Sequence, residues 1–400
     1  MRHFDLLIVG AGPAGSFAAE LLAKGGARVA LFDGRPADEP KPCGGGVTAK
    51  ALKAWPQLLE AVGRTINDLD LYSPSGKKLH LKLEEPFAIY SRVAFDSYLR
   101  ERARAAGAHV LAEKISARKL KRTEAEWVIR KEKGPEWRGK ILVGADGANS
   151  GIAKKLAGPL AASDMEVAFG YRAPLPANGE AATVVAFLPR WVGYAWAFPR
   201  PDHISFGIAT TQDAFDHKPL DDLLWSFMVG YYSSEGGPKD FWSAKDDSTT
   251  AKIRKHLEQI AERYAARIPG LADKTWDTRK ASGDGWALLG DAAGFADPVT
   301  GEGIYYALRS AELFAECWLA GKPDEYEQRW RKDFGNELRR AAQMRRRFYG
   351  NLWGAPFTER MIEFARGHRG VKRVLGELVA GEQGYVDLKK KLVRSALKPL

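Results

Sequence analysis

A six-residue turn near the start of the chain has the glycine spacing of a nucleotide phosphate-binding turn. It is the G-x-G-x-x-G sequence Gly10-Ala11-Gly12-Pro13-Ala14-Gly15, which follows an apolar run and opens a segment of small residues. Gly10 permits the tight turn, Gly12 lets the backbone approach a pyrophosphate, and Gly15 lets the helix and the strand pack closely. The turn predicts that the phosphates of a dinucleotide lie at the N-terminus of the following helix.

The segments on either side of this turn complete a βαβ unit. We predict strands over Phe4–Val9 and Arg28–Phe32, with a helix over Pro13–Lys24 between them. Asp33 ends the second strand, 23 residues after Gly10, where its carboxylate can accept hydrogen bonds from ribose hydroxyls. This context makes the dinucleotide prediction specific, although it does not separate FAD from NAD.

Two later segments also place a glycine turn directly after a predicted strand. Gly144–Ser150 follows the strand Lys140–Val143 and contains Asp146. The second segment is Leu289-Gly290-Asp291-Ala292-Ala293, which continues through Asp297-Pro298 to Gly301-Glu302-Gly303-Ile304. Together with the N-terminal turn, these segments resemble the p-hydroxybenzoate-hydroxylase-like flavoprotein superfamily, in which the Asp of a strand–Gly-Asp–helix segment contacts the ribityl chain of FAD.

This resemblance implies that the dinucleotide is FAD and that Asp291 contacts its ribityl chain. It also implies a helix over Gly301–Leu319 whose positive N-terminal end faces the flavin pyrimidine, where a reduced flavin carries negative charge. Arg92 resembles the arginine of the superfamily that contacts FAD. Arg100 is the rival for that contact, because it lies two turns further along the predicted helix Ala94–Ala106.

The family-level evidence lies in two other segments. Lys41-Pro42-Cys43-Gly44-Gly45-Gly46-Val47 contains three consecutive glycines, so its backbone can lie flat against a ring. It resembles the Cys-Gly-Gly segment that the geranylgeranyl reductase family carries beside the isoalloxazine. Pro189 and Tyr194-Ala195-Trp196-Ala197-Phe198-Pro199 are similar to the P-x-x-Y-x-W-x-F segment of that family, with a longer gap after the first Pro. The tail Leu378–Leu388 resembles the last helices of the family.

The resemblance implies an enzyme that uses reduced FAD to saturate carbon–carbon double bonds in a prenyl chain. NAD(P)H or a ferredoxin-type protein is the implied electron donor. An isolated alkene accepts hydride poorly, so positive charge develops on carbon, and aromatic faces stabilise such charge. The residues assigned to catalysis are Cys43, Tyr194 and Trp196, with Tyr194 or Cys43 in the proton path. The alternatives are that Cys43 is only a small residue fitting beneath a ring and that the aromatic strand is only core.

No residue is assigned to a metal. The residues assigned to the FAD site are Gly10, Gly12, Pro13, Ala14, Gly15, Asp33, Cys43, Gly44, Gly45, Gly46, Arg92, Asp146, Asp291, Pro298, Gly301, Gly303 and Ile304. Two other functions stay open at this stage. A flavin monooxygenase or halogenase would have the same fold, although the W-x-W-x-I-P segment expected of a halogenase is missing from the sequence. A flavin-binding electron-transfer module would have no substrate pocket beside the flavin.

The middle of the chain predicts an antiparallel sheet rather than further βαβ units. The predicted strands are Val167–Pro174, Ala182–Leu188, Gly193–Phe198 and Ile204–Thr210. The expected fold class is α/β: a Rossmann-like FAD-binding domain with an inserted antiparallel β-sheet substrate domain and C-terminal helices. The expected boundaries are 1–70, 92–158 and 276–340 for the FAD-binding domain, 71–91 and 159–275 for the substrate domain, and 341–400 for the C-terminal helical region.

Composition bounds the class of protein. The 400 residues are 45% apolar and 28% charged, which is typical of a globular protein. The two cysteines, Cys43 and Cys317, have neither disulfide-framework nor zinc spacing, which suits a reducing compartment. The first predicted strand begins at about Phe4, which leaves no room for a signal peptide, and no apolar run reaches the roughly 18 residues of a membrane span. We therefore expect a cytoplasmic protein.

The net charge of +11 is concentrated in the last fifth of the chain. Residues 321–400 contain 19 Lys and Arg against 10 Asp and Glu. Aromatic residues are interleaved with this charge: Trp330, Phe348, Tyr349, Trp353, Phe357 and Phe364. Such helices can lie on an anionic membrane, here at the inner face, or can simply be solvated. None of the common nucleic-acid-binding motifs occurs, so we expect no nucleic-acid partner.

Overall fold

The computed structural model describes residues 2–36, 41–130, 134, 136–177, 179, 181–233, 242, 248–352 and 355–396. The chain divides into two compact units, each assembled from three segments of sequence. Unit 1 contains Met1–Lys41, Arg92–Met165 and Ile268–Ala342, and unit 2 contains Pro42–Ser91, Glu166–Arg267 and Gln343–Leu400.

The strands of the described residues are, in chain order, β1 (Arg2–Val9), β2 (Val29–Phe32), β3 (Gly46–Val47), β4 (Gly63–Tyr72), β5 (Lys78–Tyr90), β6 (His109–Leu111), β7 (Leu120–Arg122), β8 (Trp127–Arg130), β9 (Glu136–Gly144), β10 (Met165–Ala173), β11 (Val184–Phe187), β12 (Gly193–Pro199), β13 (Ile204–Thr211), β14 (Glu262–Pro269), β15 (Ser282–Gly283), β16 (Trp286–Leu288), β17 (Asn351–Leu352) and β18 (Ala355–Pro356).

The α-helices are α1 (Pro13–Lys24), α2 (Ala49–Ala54), α3 (Arg92–Ala105), α4 (Gly151–Leu156), α5 (His217–Ser233), α6 (Ser248–Ile260), α7 (Asp273–Thr278), α8 (Ile304–Leu319), α9 (Tyr326–Trp330), α10 (Asn336–Phe348), α11 (Phe357–Gly367), α12 (Arg369–Val379) and α13 (Leu388–Ala396).

Unit 1 is built on a mixed sheet with the strand order β15, β16, β9, β1, β2, β6, in which β8 also pairs with β9, and β7 with β8. β1 pairs in parallel with β2 and with β9, and β9 pairs in parallel with β16. Leu6, Leu7 and Ile8 are fully buried, as expected of an apolar strand with a neighbour on each side. The last paired residues, Val9, Gly144 and Leu288, are adjacent across the sheet. The three glycine turns of the sequence therefore leave the sheet side by side.

The predicted α/β class is confirmed, and the predicted elements of unit 1 agree with the structure to within four residues, with the largest differences at the starts of β9 and α8. The sequence placed the start of α8 at Gly301, whereas the helix begins at Ile304. The carboxylate of Asp297 accepts the N–H groups of Val299 and Thr300 at 2.7 and 3.1 Å. Gly301 has a φ of +69° and donates to the Asp297 carbonyl, so this segment closes a turn ahead of the helix.

Unit 2 is built on a mainly antiparallel sheet with the strand order β14, β10, β13, β12, β11, β4, β5, β3. The four strands predicted in the middle of the chain correspond to β10–β13, and β12 and β13 form a hairpin. One face of the hairpin enters the core, where Ala195 and Ala197 pack with Phe206. Residues 42–70, which the sequence assigned to the FAD-binding domain, are part of unit 2, because β4 pairs with both β5 and β11.

The C-terminal helices α11 and α12 pack on β5 and are part of unit 2. The carboxylate of Glu359 on α11 accepts hydrogen bonds from the N–H and the hydroxyl of Ser75 at 3.0 and 2.7 Å. α11 is thereby fastened to the turn between β4 and β5. Within the described ranges, no helix has both the length and the apolar composition that crossing a bilayer requires.

Candidate functional site

In the G-x-G-x-x-G turn of unit 1, two of the three glycines have no room for a Cβ atom, and the third has open space there. Gly10 has a φ of +108°, and a Cβ there would lie 2.2 Å from the carbonyl oxygen of Ala145. A Cβ on Gly15 would lie 1.8 Å from the carbonyl oxygen of Gly10. A Cβ on Gly12 would meet no atom within 4 Å. This open backbone, flanked by close contacts, is what the approach of a pyrophosphate requires.

Two helix N-termini of unit 1 lack side-chain caps. Gly12 is the N-cap of α1, with Pro13 at the first helical position, and Gly303 is the N-cap of α8, which begins with Ile304. Neither cap residue has a side chain that could accept a first-turn N–H, and neither first turn contains an acidic residue. Both ends can therefore direct backbone N–H groups and a positive dipole end at a bound anion or carbonyl oxygen.

Asp291 lies beside the start of α8 with an open carboxylate. Its Oδ1 is 3.0 Å from the position that a Cβ on Gly303 would occupy. Gly290, the preceding residue, lies between α1 and α8, because a Cβ there would be 3.2 Å from Ala14 and from Ala307. Among the described residues, no donor forms a hydrogen bond with the Asp291 carboxylate. A half-buried, unpartnered acceptor at this place fits a ribityl hydroxyl of FAD.

The arginine rivals for the cofactor contact have different partners. Arg92 is buried and forms a bidentate ion pair with Asp96, with Nε–Oδ1 at 2.9 Å and Nη2–Oδ2 at 3.0 Å. Arg100 lies 3.3 Å from Asp33, the predicted ribose ligand. Arg92 therefore orders the first turn of α3, whereas Arg100 is the arginine that lies against the carboxylate predicted to bind the ribose.

Two other residues assigned to the cofactor have local structural contacts. The Asp146 carboxylate accepts the hydroxyl of Ser150 and the N–H groups of Gly151 and Ile152, and so caps α4. Burial raises the pKa of Asp146. Pro298 is buried within the turn that Asp297 closes.

Arg279 is a contributor to this site that the sequence analysis missed. Its buried guanidinium donates to the carbonyl oxygens of Gly158 at 2.8 Å, Ala292 at 3.3 Å and Ala293 at 3.4 Å. It thereby holds the residues that directly follow Asp291. Burial lowers the pKa of Arg279. A lone arginine outside any motif carries no sequence pattern that reveals such long-range contacts.

In unit 2, the loop of three glycines is fixed by its own neighbours. Gly45 has a φ of +80°, and a Cβ there would lie 2.2 Å from the carbonyl oxygen of Tyr90. The N–H of Tyr90 donates to the Gly45 oxygen at 2.9 Å, and the N–H of Gly45 donates to Cys43 Sγ at 3.3 Å. The loop thus continues directly into the pairing of β3 with β5.

The two outer glycines lie against aromatic rings. A Cβ on Gly44 would be 3.1 Å from Phe198, and a Cβ on Gly46 would be 2.6 Å from Phe87. The rings of Phe87 and Phe198 are themselves in edge-to-face contact, with centroids 6.1 Å apart. A Cβ at Gly45 would therefore clash with backbone, whereas a Cβ at Gly44 or Gly46 would require an aromatic ring to shift.

β12 presents an aromatic face opposite the core. The Trp196 ring centroid lies 5.9 Å from that of Tyr194 and 6.4 Å from that of Phe198. Trp196 lies across Gly207 of β13, where a Cβ would be 2.0 Å from the indole. Ala195 supplies the core on the other face. The aromatic stripe is therefore separate from the hydrophobic cluster that includes Ala195, and Tyr194 and Phe198 are partly exposed.

Arg200 connects the glycine loop to this strand. Its Nη2 donates to the carbonyl oxygens of Cys43 at 2.6 Å and Gly44 at 3.1 Å. Its Nη1 lies 3.4 Å from Nε2 of His203, whose pKa is lowered by burial and by the Arg200 charge. The sequence analysis assigned no role to Arg200. No local pattern marks its contact with a loop 157 positions earlier in the chain.

Comparison with known proteins agrees with this geometry. Residues 3–316 match the family model described as an FAD binding domain. The chain is 30% identical to the chloroplastic geranylgeranyl diphosphate reductase of Oryza sativa subsp. japonica, over 80% of this chain and 67% of that protein. It is 28% identical to the digeranylgeranylglycerophospholipid reductase of Methanocaldococcus jannaschii, over 82% of each. Its fold resembles the solved structure of a geranylgeranyl bacteriochlorophyll reductase-like protein from Thermoplasma acidophilum, with a TM-score of 0.72 and 21% identity over 99% of this chain and 100% of that one. The bound dinucleotide is FAD.

Asp291→Ala is expected to weaken FAD binding by roughly 10- to 100-fold, because a hydrogen bond to a charged group contributes about 1.5–3 kcal/mol. Flavin-fluorescence titration of the apoprotein measures this change. The melting temperature of the apoprotein should stay at its wild-type value, since no described residue pairs with this carboxylate. Asp297→Ala is the control and should lower the melting temperature by removing two backbone contacts. FAD affinity at the wild-type level in Asp291→Ala would remove this residue from the site.

Gly45→Ala is expected to destabilise the protein by more than about 2 kcal/mol, because it combines a positive φ with a backbone clash against Tyr90. Gly26→Ala is the matched control: Gly26 has a φ of +89° but open space around its Cβ position. Gly26→Ala should lower the free energy of unfolding by only about 1 kcal/mol. Denaturant unfolding measures both changes. Equal losses of unfolding free energy in the two variants would show that the loop can accommodate a side chain at Gly45.

Proposed function

Because the chain belongs to the geranylgeranyl reductase family of FAD-dependent oxidoreductases, we propose that it saturates carbon–carbon double bonds in a geranylgeranyl-type prenyl chain. Electrons come from NAD(P)H or a ferredoxin-type donor. The observation that carries the proposal is the aromatic face of β12, which lies opposite the core and against the Cys43 loop. The names of the relatives support a prenyl substrate.

When bound, reduced FAD supplies a hydride to one carbon of the double bond. Tyr194 and Trp196 offer ring faces to that same carbon, on which positive charge develops as the other carbon takes up a proton. Such faces stabilise a cation without attacking it, by about 0.5–2 kcal/mol each. The buried ring of Trp196 lies against Gly207, so its orientation is fixed before substrate arrives.

The other carbon must receive that proton, and the proton and the hydride together make the net addition two hydrogens. Two groups of unit 2 could deliver it, the Tyr194 hydroxyl and the Cys43 thiol. Cys43 Sγ accepts the Gly45 N–H, which orients the thiol and stabilises the thiolate that remains after the proton leaves.

Anaerobic incubation of the dithionite-reduced protein with prenyl substrates tests the proposal. The panel contains geranylgeranyl diphosphate, a geranylgeranylated glycerolipid, a prenyl quinone and a geranylgeranylated pigment. We expect one substrate class to gain two hydrogens for each bond reduced, measured by mass spectrometry. Oxygen consumption coupled to an oxygenated product would instead establish a monooxygenase. If no product formed either with or without oxygen, electron transfer would be the only one of the three functions left.

Two variants test the aromatic face within the same experiment. Trp196→Phe keeps a ring and should retain turnover within about tenfold, whereas Trp196→Leu loses the π face and should lower kcat by a further factor of about 10 or more. FAD absorbance and melting temperature are the folding controls. Equal turnover in the two variants would contradict a role for the ring.

We also propose that unit 2 meets an anionic membrane through α13, because a prenyl-lipid substrate is held in the bilayer. Lys389, Lys390, Val393 and Arg394 share the exposed face of this helix, and Val393 is 52% exposed. A basic face with an exposed apolar side chain is typical of interfacial helices. In contrast, Arg345 pairs with Glu166 at 3.3 Å and is largely buried. Trp353 lies outside the described residues.

The triple variant Lys389→Glu, Lys390→Glu, Arg394→Glu should reduce binding to phosphatidylglycerol vesicles by at least roughly 100-fold, since each basic residue near such a surface contributes about 1 kcal/mol. Vesicle co-sedimentation at two salt concentrations measures this, and wild-type binding should weaken with salt. The control is a second triple variant with the same change of charge, made at exposed residues of unit 1: Lys121→Glu, Lys154→Glu, Lys332→Glu. An equal loss of vesicle binding in the two triple variants would show that binding depends on the net charge of the protein rather than on α13.

A further inference from the structure

Arg200 is the first residue of the turn between β12 and β13, and its N–H donates to the carbonyl oxygen of His203 at 2.7 Å. Its guanidinium is only 4% exposed and lies against the Cys43 and Gly44 carbonyl oxygens. Burying a cation is unfavourable, and charge-assisted hydrogen bonds offset that cost. The contact is therefore a strong restraint on the loop.

The two carbonyl groups belong to successive peptide units. A peptide unit is planar, so fixing its oxygen also fixes the direction of the N–H on its opposite edge. The N–H of Gly44 thus points away from the guanidinium, and the N–H of Gly45 donates to Cys43 Sγ. One arginine side chain therefore orients both a backbone donor and a thiol.

The two halves of the loop have different restraints. The second half belongs to the sheet, because the Gly45 carbonyl accepts from Tyr90 and Gly46 pairs with Ile89. The first half, at Cys43 and Gly44, is restrained by Arg200. Both oxygens accept from the single Nη2, whose two N–H groups lie in the guanidinium plane and have fixed directions, whereas the three N–H groups of an ammonium rotate freely.

We propose that Arg200 is a positioning residue of the proposed reaction. It holds the Cys43–Gly45 backbone in the orientation in which this loop acts, and its place at the end of β12 ties that orientation to the aromatic face. Arg200 itself does not touch the reacting atoms. The inference rests on the proposed function for its effect on turnover, but its effect on the loop can be measured independently.

The test compares Arg200→Gln and Arg200→Lys with Arg172→Gln as the matched control. Arg172 lies in the same sheet, over the Tyr264 ring and 3.4 Å from Glu262, and makes no contact with the loop among the described residues. Amide hydrogen exchange of the peptide containing residues 43–47 is measured by mass spectrometry on the FAD-bound full chain. We expect exchange to be about tenfold faster or more in Arg200→Gln, intermediate in Arg200→Lys, and unchanged in Arg172→Gln.

Steady-state kinetics with the accepted prenyl substrate gives the second readout. Arg200→Gln should lower kcat roughly 10- to 100-fold with KM within about twofold, because a misplaced loop affects the transition state more than substrate binding. Arg172→Gln should match the wild type in both constants. If Arg200→Gln does not fold, the exchange and the kcat of Arg200→Lys are compared with those of the wild type instead. Unchanged exchange, or faster exchange with unchanged kcat, would overturn the proposal. Failure of the wild type to reduce any prenyl substrate would overturn the proposed function while the exchange result still tests the loop.

Discussion

The contact between the backbone at Gly15 and the carbonyl group of Gly10 determines where everything else in unit 1 can be. It brings α1 onto the end of β1 with no side chain between them, so the helix N-terminus lies at the edge of the sheet. The turns after β9 and β16 leave the same edge, because all three strands are parallel. The open carboxylate of Asp291 is then placed beside the start of α8. A single methyl group at Gly15 would displace the whole arrangement.

Unit 2 also uses glycines to allow a close approach, but of a different kind of group. Its glycines admit aromatic rings rather than phosphates: Trp196 lies across Gly207, and Phe198 lies against Gly44. Both units then fasten a functional turn with a buried arginine that contacts backbone carbonyls, Arg279 in unit 1 and Arg200 in unit 2. Carbonyl oxygens hold a guanidinium without neutralising its charge, so each turn gains a rigid neighbour of positive potential.

The sequence predicted the elements whose information is local. α1 is bounded as expected because Pro13 starts it and the glycines after Lys24 end it. Strands β10–β13 were predicted from their residue types and the turn signals between them, whereas β3, β4, β5 and β14 were not predicted. The start of α8 was wrong because the Asp297 side chain competes for the N–H groups that would begin a helix at Gly301. Arg200 and Arg279 were missed because their partners are more than ten and up to about 160 positions away, and no short pattern encodes such contacts. The FAD site was therefore predictable in its motifs but not in its supports.

The segmented construction of both units has a consequence for synthesis on the ribosome. β1 emerges first, yet its sheet acquires β16 only after residue 288 has been made. The turn at Ser75 waits for Glu359, 284 positions later. Unit 1 cannot finish folding before residue 342 has been made, and unit 2 needs the last helices, so contacts of long separation form slowly in both. β1 can pair early with β2, and β4 with β5, but both sheets stay incomplete for most of translation, and their open edges are surfaces that chaperones of nascent polypeptides can bind.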